Sequence, residues 1–202
     1  MTRHSSLFIA LPVLFTALLL QACGGDTNQS PAATVTPATD EASAQPFTPT
    51  LDPLLDNLPA DNDPDSKTFQ TLDGRGFDVE LFAGRKVFVN FWATWCAPCI
   101  QEIPSINNAA AELANENYLF VFASDEDSDT INNFLLDRQF PGNFIRLNDY
   151  FAKYGIGAVP SSWLLDENGD VIRTWAGAYE WDSAEMLAEI RSPASADAAT
   201  AP

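Results

Sequence analysis

Two thiols stand three positions apart in Trp95-Cys96-Ala97-Pro98-Cys99, directly after the apolar run Lys86–Trp92 (KVFVNFW). Cysteines spaced in this way close a redox-active disulfide, close an inert structural one, or supply half of a zinc site. Zinc fails on inventory. The chain holds three cysteines and one histidine, His4, at the extreme N-terminus. Once an N-terminal signal is removed, a tetrahedral N/S set cannot be completed. The same shortage excludes Cys–His hydrolases and His-dependent metal enzymes. Where a strand gives way to a helix, a thiol at the helix start meets unpaired N–H groups and the positive end of the dipole, which favour thiolate. Cys96 is therefore the expected nucleophile, and Cys99, deeper on the first turn, the thiol expected to resolve a mixed disulfide. The alternative is a binding or scaffold module with an inert disulfide. It predicts a bond that resists mild reductant and a Cys96 thiol near the ordinary pKa of about 8.5.

The elements that must hold these thiols can be read from residue 67 to residue 191. Thr68–Leu72 and Phe77–Val79, joined through Asp73-Gly74, are expected to form a hairpin. Lys86–Trp92 and Leu119–Ala123 read as buried strands. Between them a helix is expected from Cys96 to about Asn115, with Ile103, Ile106, Ala110 and Leu113 on one face. Asp129–Arg138 has helical spacing, with Asp127, Ser128 or Asp129 to cap it. A strand at Phe144–Leu147, a turn of helix at Asp149–Tyr154, strands at Ser162–Leu165 and Val171–Trp175, and a last helix at Ser183–Arg191 complete the series. Alternating elements of this kind predict an α/β domain.

The ends of the chain differ in kind. Residues 1–22 begin with Arg3 and His4, continue through the apolar stretch from Leu7 to Leu20, and finish on a small residue, as a secretory signal does. Residues 23–66 are rich in proline and acidic residues and contain no Lys or Arg. They read as a tether, although Phe47, Leu51, Leu54, Leu55 and Leu58 could dock its end on the domain. Residues 192–202 read as a fraying tail. The formal net charge of −18 offers no basic surface for nucleic acid. Two acidic runs imitate calcium loops and fail as such. After Asp125–Asp129, Thr130 stands where the loop needs Gly and Leu136 where it needs the bidentate Glu; Asp61–Asp65 meets Ser66 and Leu72 in those places. Both runs read as solvated charge, and no metal is expected.

Val89-Asn90-Phe91-Trp92-Ala93-Thr94-Trp95-Cys96-Ala97-Pro98-Cys99, followed by Glu102 and Pro104, resembles the TlpA/ResA-like thiol–disulfide oxidoreductases of the thioredoxin superfamily. The likeness runs from about Lys67 to Arg191 and includes Val159-Pro160 and the turn Leu164–Gly169. It implies a thioredoxin-like fold: a central mixed sheet flanked by helices, an N-terminal hairpin extension and an insertion near Ser124–Gly142. It also implies that Pro160 is a cis-proline facing the disulfide and that the Val159 backbone pairs with an extended substrate segment. Glu102, one helical turn after Cys99, matches a carboxylate that holds or accepts the Cys99 proton; read from the helix alone, it is an exposed surface residue. Pro104 matches the proline that bends this helix in the family. Asn90 stands where thioredoxin itself has an acidic residue, which gives Glu102 more weight, and Ser161 stands where Thr is usual. Trp95 is either a collar around the thiols or core, while Phe91 and Trp92 are expected in the core.

Leu20-Gln21-Ala22-Cys23-Gly24 resembles the lipobox of bacterial lipoproteins, which makes Cys23 the expected lipid attachment site. Together these likenesses imply a membrane-anchored, extracytoplasmic (periplasmic) oxidoreductase that reduces disulfide-containing proteins. Apocytochrome c is one such substrate, and a membrane or extracytoplasmic thiol is the implied electron donor. Gly24 after Cys23 leans towards outer-membrane sorting. Pro98 within the motif points towards reduction, and Trp95, Pro98 and Val159 are the expected substrate contacts. No cofactor is expected beyond the Cys96–Cys99 disulfide. A thiol peroxidase is the remaining alternative, opposed by the Trp-Cys-x-x-Cys motif and separable by a peroxide-consumption assay.

Overall fold

The computed structural model describes residues 51–60 and 63–192. The signal segment, Cys23, Phe47, the first part of the tether and residues 193–202 lie outside the described residues.

Period-two alternation decides where each strand residue goes. In β3 (Lys86–Phe91), Val87, Val89 and Phe91 enter one hydrophobic cluster, while Phe88 enters the other, as does Trp92 just beyond the strand. Asn90 shares parity with Phe88 and Trp92, so it points to the same face. β4 (Tyr118–Ser124) repeats the division, with Leu119, Val121 and Ala123 opposite Phe120 and Phe122.

Seven strands form one sheet in the order β2-β1-β5-β4-β3-β6-β7. β1 (Phe69–Thr71) and β2 (Gly76–Phe77) make the expected antiparallel hairpin, and β1 also pairs antiparallel with β5 (Asn143–Leu147). Val79, expected to extend the second strand, instead begins a 3-10 turn at Val79–Phe82. β3, β4 and β5 run parallel, whereas β6 (Ser161–Leu165) and β7 (Val171–Ala176) continue the sheet antiparallel. Parallel neighbours require crossovers. These are α2 (Ala97–Glu112) between β3 and β4, and α3 (Ser128–Arg138) between β4 and β5. The latter lies in the expected insertion.

Capping sets the helix starts. Asp127 accepts from the Thr130 amide at the start of α3, and Ser183 accepts from the Met186 amide at the start of α4 (Ala184–Arg191). Both bonds satisfy amides that have no partner within the helix. The inner faces of α2, α3 and α4 join Phe88, Phe120, Phe122, Phe144 and Leu164 in the first cluster. The opposite face of the sheet is closed by short elements, among them α1 (Pro53–Asp56), whose Leu55 is fully buried. Leu51, Leu54 and Leu58 pack beside Leu55, and the Asp52 carboxylate accepts from Arg85 at 2.9 Å. Packed structure thus begins at least as early as Leu51, inside the segment whose composition reads as a tether.

No helix among the described residues is long and apolar enough to cross a membrane.

Candidate active site

α2 is a 16-residue helix that begins one residue after Cys96. The backbone at Cys96 is extended, and its sulfur caps the helix by accepting from the Cys99 amide at 3.3 Å. Pro98 lies within the first turn, where a missing N–H leaves no helical bond unmade. Cys96 and Cys99 are joined by a disulfide with a Cα–Cα distance of 5.3 Å. Cys96 is 4% exposed and Cys99 is fully buried. Cys96 is thus the outer and less enclosed of the two, and Cys99 the inner one.

The buried stripe of α2 comprises Cys99, Glu102, Ile103, Ser105, Ile106 and Ala109. Helical spacing of three and four therefore carries Glu102 inward with the inner sulfur, and the carboxylate is 4% exposed. The exposed reading of this residue is corrected here. Three donors compensate its burial. Asn90 Nδ2 donates to Oε1 at 2.8 Å, while the Tyr179 amide and the Trp181 indole Nε1–H donate to Oε2 at 3.2 and 2.9 Å. Loss of water around the carboxylate outweighs them and holds its pKa above the ordinary glutamate value. Asn90 Nδ2 also lies 3.0 Å from Ser162 Oγ, and Asn90 Oδ1 has no hydrogen-bond partner.

The Val159–Pro160 peptide is cis, as the motif implies, and Pro160 is buried at the entry to β6. The Val159 N–H and C=O make no hydrogen bond among the described residues, although Pro160 O accepts from the Gly177 amide at 2.9 Å. Trp95 is 72% exposed, so it is not core. Trp92 and Phe91 are core: the Trp92 ring packs 5.3 Å from both Phe134 and Phe144, and Phe91 lies 4.9 Å from Trp163. Pro104 sits inside α2, where it removes one backbone donor from the helix ladder.

Sequence reasoning missed Ser162, Tyr179 and Trp181 as members of this site. Trp181 lies 79 positions from Glu102, and no local pattern announces such a contact. The acidic run 125–129 also needs correction. Glu126 is half-buried and accepts from both the amide and the hydroxyl of Thr94, two residues before Cys96. Asp125 accepts from the Phe151 amide at 3.1 Å. These carboxylates brace loops, which a reading of solvated charge overlooked.

Comparison with known proteins agrees with this arrangement. The Redoxin family model matches residues 56–190. The thiol–disulfide oxidoreductase ResA of Bacillus thuringiensis subsp. konkukian is 31% identical over 109 residues, covering 52% of this chain and 63% of the relative. The thioredoxin-like protein YneN of Bacillus subtilis is 34% identical over 107 residues, covering 50% and 62%. This chain therefore spans less than two thirds of the length of these curated relatives. Among solved structures, a thiol–disulfide oxidoreductase candidate from Bacteroides vulgatus superimposes with a TM-score of 0.54 at 23% identity, covering 61% of this chain and 88% of its own. A thioredoxin candidate from Neisseria meningitidis gives a TM-score of 0.50 at 21% identity, with 61% and 83% covered. These two likenesses establish the thioredoxin-like fold.

Proposed function

We propose that this chain, which belongs to the redoxin family and within it to the ResA/TlpA-like branch of the thioredoxin superfamily, is a thiol–disulfide oxidoreductase working through Cys96 and Cys99. The observation that carries this reading is the Cys96–Cys99 disulfide itself, set at the N-cap of a long helix with its inner sulfur on the same buried stripe as a carboxylate. An inert staple needs neither an outer sulfur at a helix start nor a buried acid one helical turn from the inner one.

In the dithiol form, the Cys96 thiolate attacks one sulfur of a substrate disulfide. The substrate S–S bond breaks, its second sulfur leaves as a thiolate that takes up a proton, and a mixed disulfide joins Cys96 to the substrate. Glu102 accepts the Cys99 proton, a role suited to a carboxyl held above its ordinary pKa by burial. The Cys99 thiolate then attacks Cys96 Sγ. The mixed disulfide breaks, the attacked substrate sulfur leaves as a thiolate, so that both substrate sulfurs are now reduced, and the Cys96–Cys99 disulfide forms. Two electrons have passed from protein to substrate. An external dithiol returns them by the same exchange in reverse.

The free Val159 N–H and C=O suit strand-like pairing with an extended substrate segment at the cis-proline. Trp95 immediately precedes the outer cysteine, Pro98 lies between the two cysteines, and both supply apolar contact. Substrates are disulfide-containing proteins, with apocytochrome c within that class, and net reduction is the direction. The chain acts outside the cytoplasm, held at a membrane by lipid on Cys23. Alkylation of the reduced protein across pH, followed by redox titration of the pair, tests this reading. The expected result is a Cys96 thiol that reacts well below the ordinary cysteine range of about 8.5. A thiol that titrates at the ordinary value, in a disulfide that resists mild reductant, would overturn it.

A further inference from the structure

The Glu102 carboxylate is held unequally at its two oxygens. Oε1 takes one donor, Asn90 Nδ2; Oε2 takes two, the Tyr179 amide and the Trp181 indole N–H. A carboxylate offers about four acceptor positions, so Oε2 is filled and Oε1 keeps one place. That division leaves Oε1 as the oxygen able to receive the Cys99 proton.

Of the two donors on Oε2, the indole makes the shorter bond, and its position is fixed by packing. The Trp181 side chain is fully buried, with its ring centroid 4.7 Å from that of Phe88 and 5.3 Å from those of Trp175 and Tyr179. The backbone on either side is anchored without the indole. The Trp181 amide donates to Ser105 Oγ at 3.3 Å, and Asn108 Nδ2 donates to Asp182 Oδ2 at 2.8 Å. The segment between β7 and α4 therefore docks on α2 whether or not position 181 supplies an N–H. That donor then answers to the carboxylate, not to the fold.

We propose that Trp181 is a positioning residue of the active site: its indole N–H occupies Oε2 of Glu102, favours the ionised carboxylate and reserves Oε1 for the proton released by Cys99. The proposal rests on Glu102 being the proton acceptor. The groups bonded to the carboxylate are Asn90 from β3, with Ser162 of β6 behind it, and the Tyr179 amide and Trp181 indole from the segment before α4, while Cys99 lies one helical turn earlier on the same buried stripe. None is charged in the disulfide form. The charged side chains of that segment do not reach the carboxylate: Glu180 is exposed and Asp182 is bound by Asn108.

The test compares Trp181→Phe and Glu102→Gln with the native protein, following the rate of dithiol exchange with a protein disulfide across pH. Trp181→Phe keeps the aromatic packing and removes one donor from an anion. The midpoint assigned to Glu102 should rise by about one pH unit, equivalent to a tenfold gain in the carboxylate's proton affinity, while Glu102→Gln should abolish it. If Trp181→Phe leaves the midpoint in place while Glu102→Gln abolishes it, the role of Trp181 is refuted and that of Glu102 stands. If Glu102→Gln leaves the profile unchanged, both fall. Should the Phe variant not fold, the native protein suffices. The Trp181 indole proton resonance should shift with pH at the same midpoint and become pH-independent in Glu102→Gln; a resonance that does not titrate in the native protein overturns the proposal.

Discussion

The Glu126 carboxylate grips Thr94 at two points, accepting from its amide and from its hydroxyl at 2.7 Å each. Ser124 Oγ lies 3.1 Å from the same carboxylate, at the end of β4. The loop that delivers Trp95 and Cys96 is thus tied to the neighbouring strand by a side chain 32 positions after Thr94. Removing the carboxylate leaves a half-buried amide and hydroxyl without partners, which costs about 1–3 kcal/mol. Glu126→Ala should lower the denaturant midpoint accordingly and broaden the pH dependence of Cys96 alkylation. Glu126→Gln, which still accepts through one oxygen, should recover much of the loss. Equal stability of native and Ala proteins would show that Glu126 does not brace the loop.

The pair itself predicts different fates for its two serine variants. With Cys99→Ser the outer thiol still attacks, and nothing resolves the product. A mixed disulfide with a protein substrate should accumulate on non-reducing electrophoresis. Cys96→Ser buries the remaining thiol, because Cys99 is inaccessible to solvent, and no adduct should form. Adducts of equal yield from both variants would mean that the assignment of outer and inner sulfur is wrong.

How much of this was legible beforehand follows from the range of each interaction. Cys96, Cys99 and Pro98 announced themselves because a helix N-terminus is a local event, written within a few residues. The strands were legible for the same reason: nearly unbroken apolar runs placed β3 and β4 to within a residue or two. Glu102 was half-legible. Its spacing from Cys99 was in the sequence, but its burial depends on Asn90 and on the Tyr179–Trp181 segment, which arrive from two other parts of the chain. The docking of Leu55 was open for a related reason. Leu51, Leu54, Leu55 and Leu58 stand at helical spacing, but that spacing does not show which surface of the domain they meet.

That docking supplies a further expectation. Leu55 is fully buried in the cluster formed with Val87, Val89, Leu119 and Val121, on the sheet face opposite the disulfide. Leu55→Ala should cost about 2–5 kcal/mol, the range for truncating a buried leucine, measured by urea unfolding. The same change should leave the redox potential of the Cys96–Cys99 pair where it was. A cost below about 0.5 kcal/mol, typical of exposed positions, would mean that residues 51–58 do not belong to the packed body in solution.

Glu102 sets a pH dependence of stability whose sign can be worked out. Burial raises its pKa in the folded chain above the unfolded value. A carboxyl shifted in this direction stabilises the folded state while it is protonated. Its contribution is complete below the unfolded value and is lost as pH rises through the folded one. The native protein should therefore give up stability relative to Glu102→Gln on going from acid to neutral pH. The variant can keep the hydrogen bonds, since Asn90 Oδ1 is without a partner and rotation of that amide would let it accept from the new one. Urea midpoints of the two proteins across that range provide the measurement. A difference that does not change with pH would mean that Glu102 titrates alike in both states.

Trp95 and Trp92 sit three residues apart and should respond oppositely to truncation. Trp92 is fully buried between Phe134 and Phe144, and Trp92→Ala should cost about 3–5 kcal/mol. Trp95 is 72% exposed, so Trp95→Ala should change stability by no more than about 0.5 kcal/mol. A large aromatic side chain held in solvent immediately before the reactive sulfur has no folding role to justify it, and its apolar surface is available to a partner. Exchange with a protein disulfide should slow by about tenfold in Trp95→Ala, the equivalent of one aromatic contact of roughly 1.4 kcal/mol. Exchange with a small-molecule disulfide, which has no surface to lay against the ring, should keep its native rate. If both substrates slow together, Trp95 acts on the sulfur itself and not on the partner.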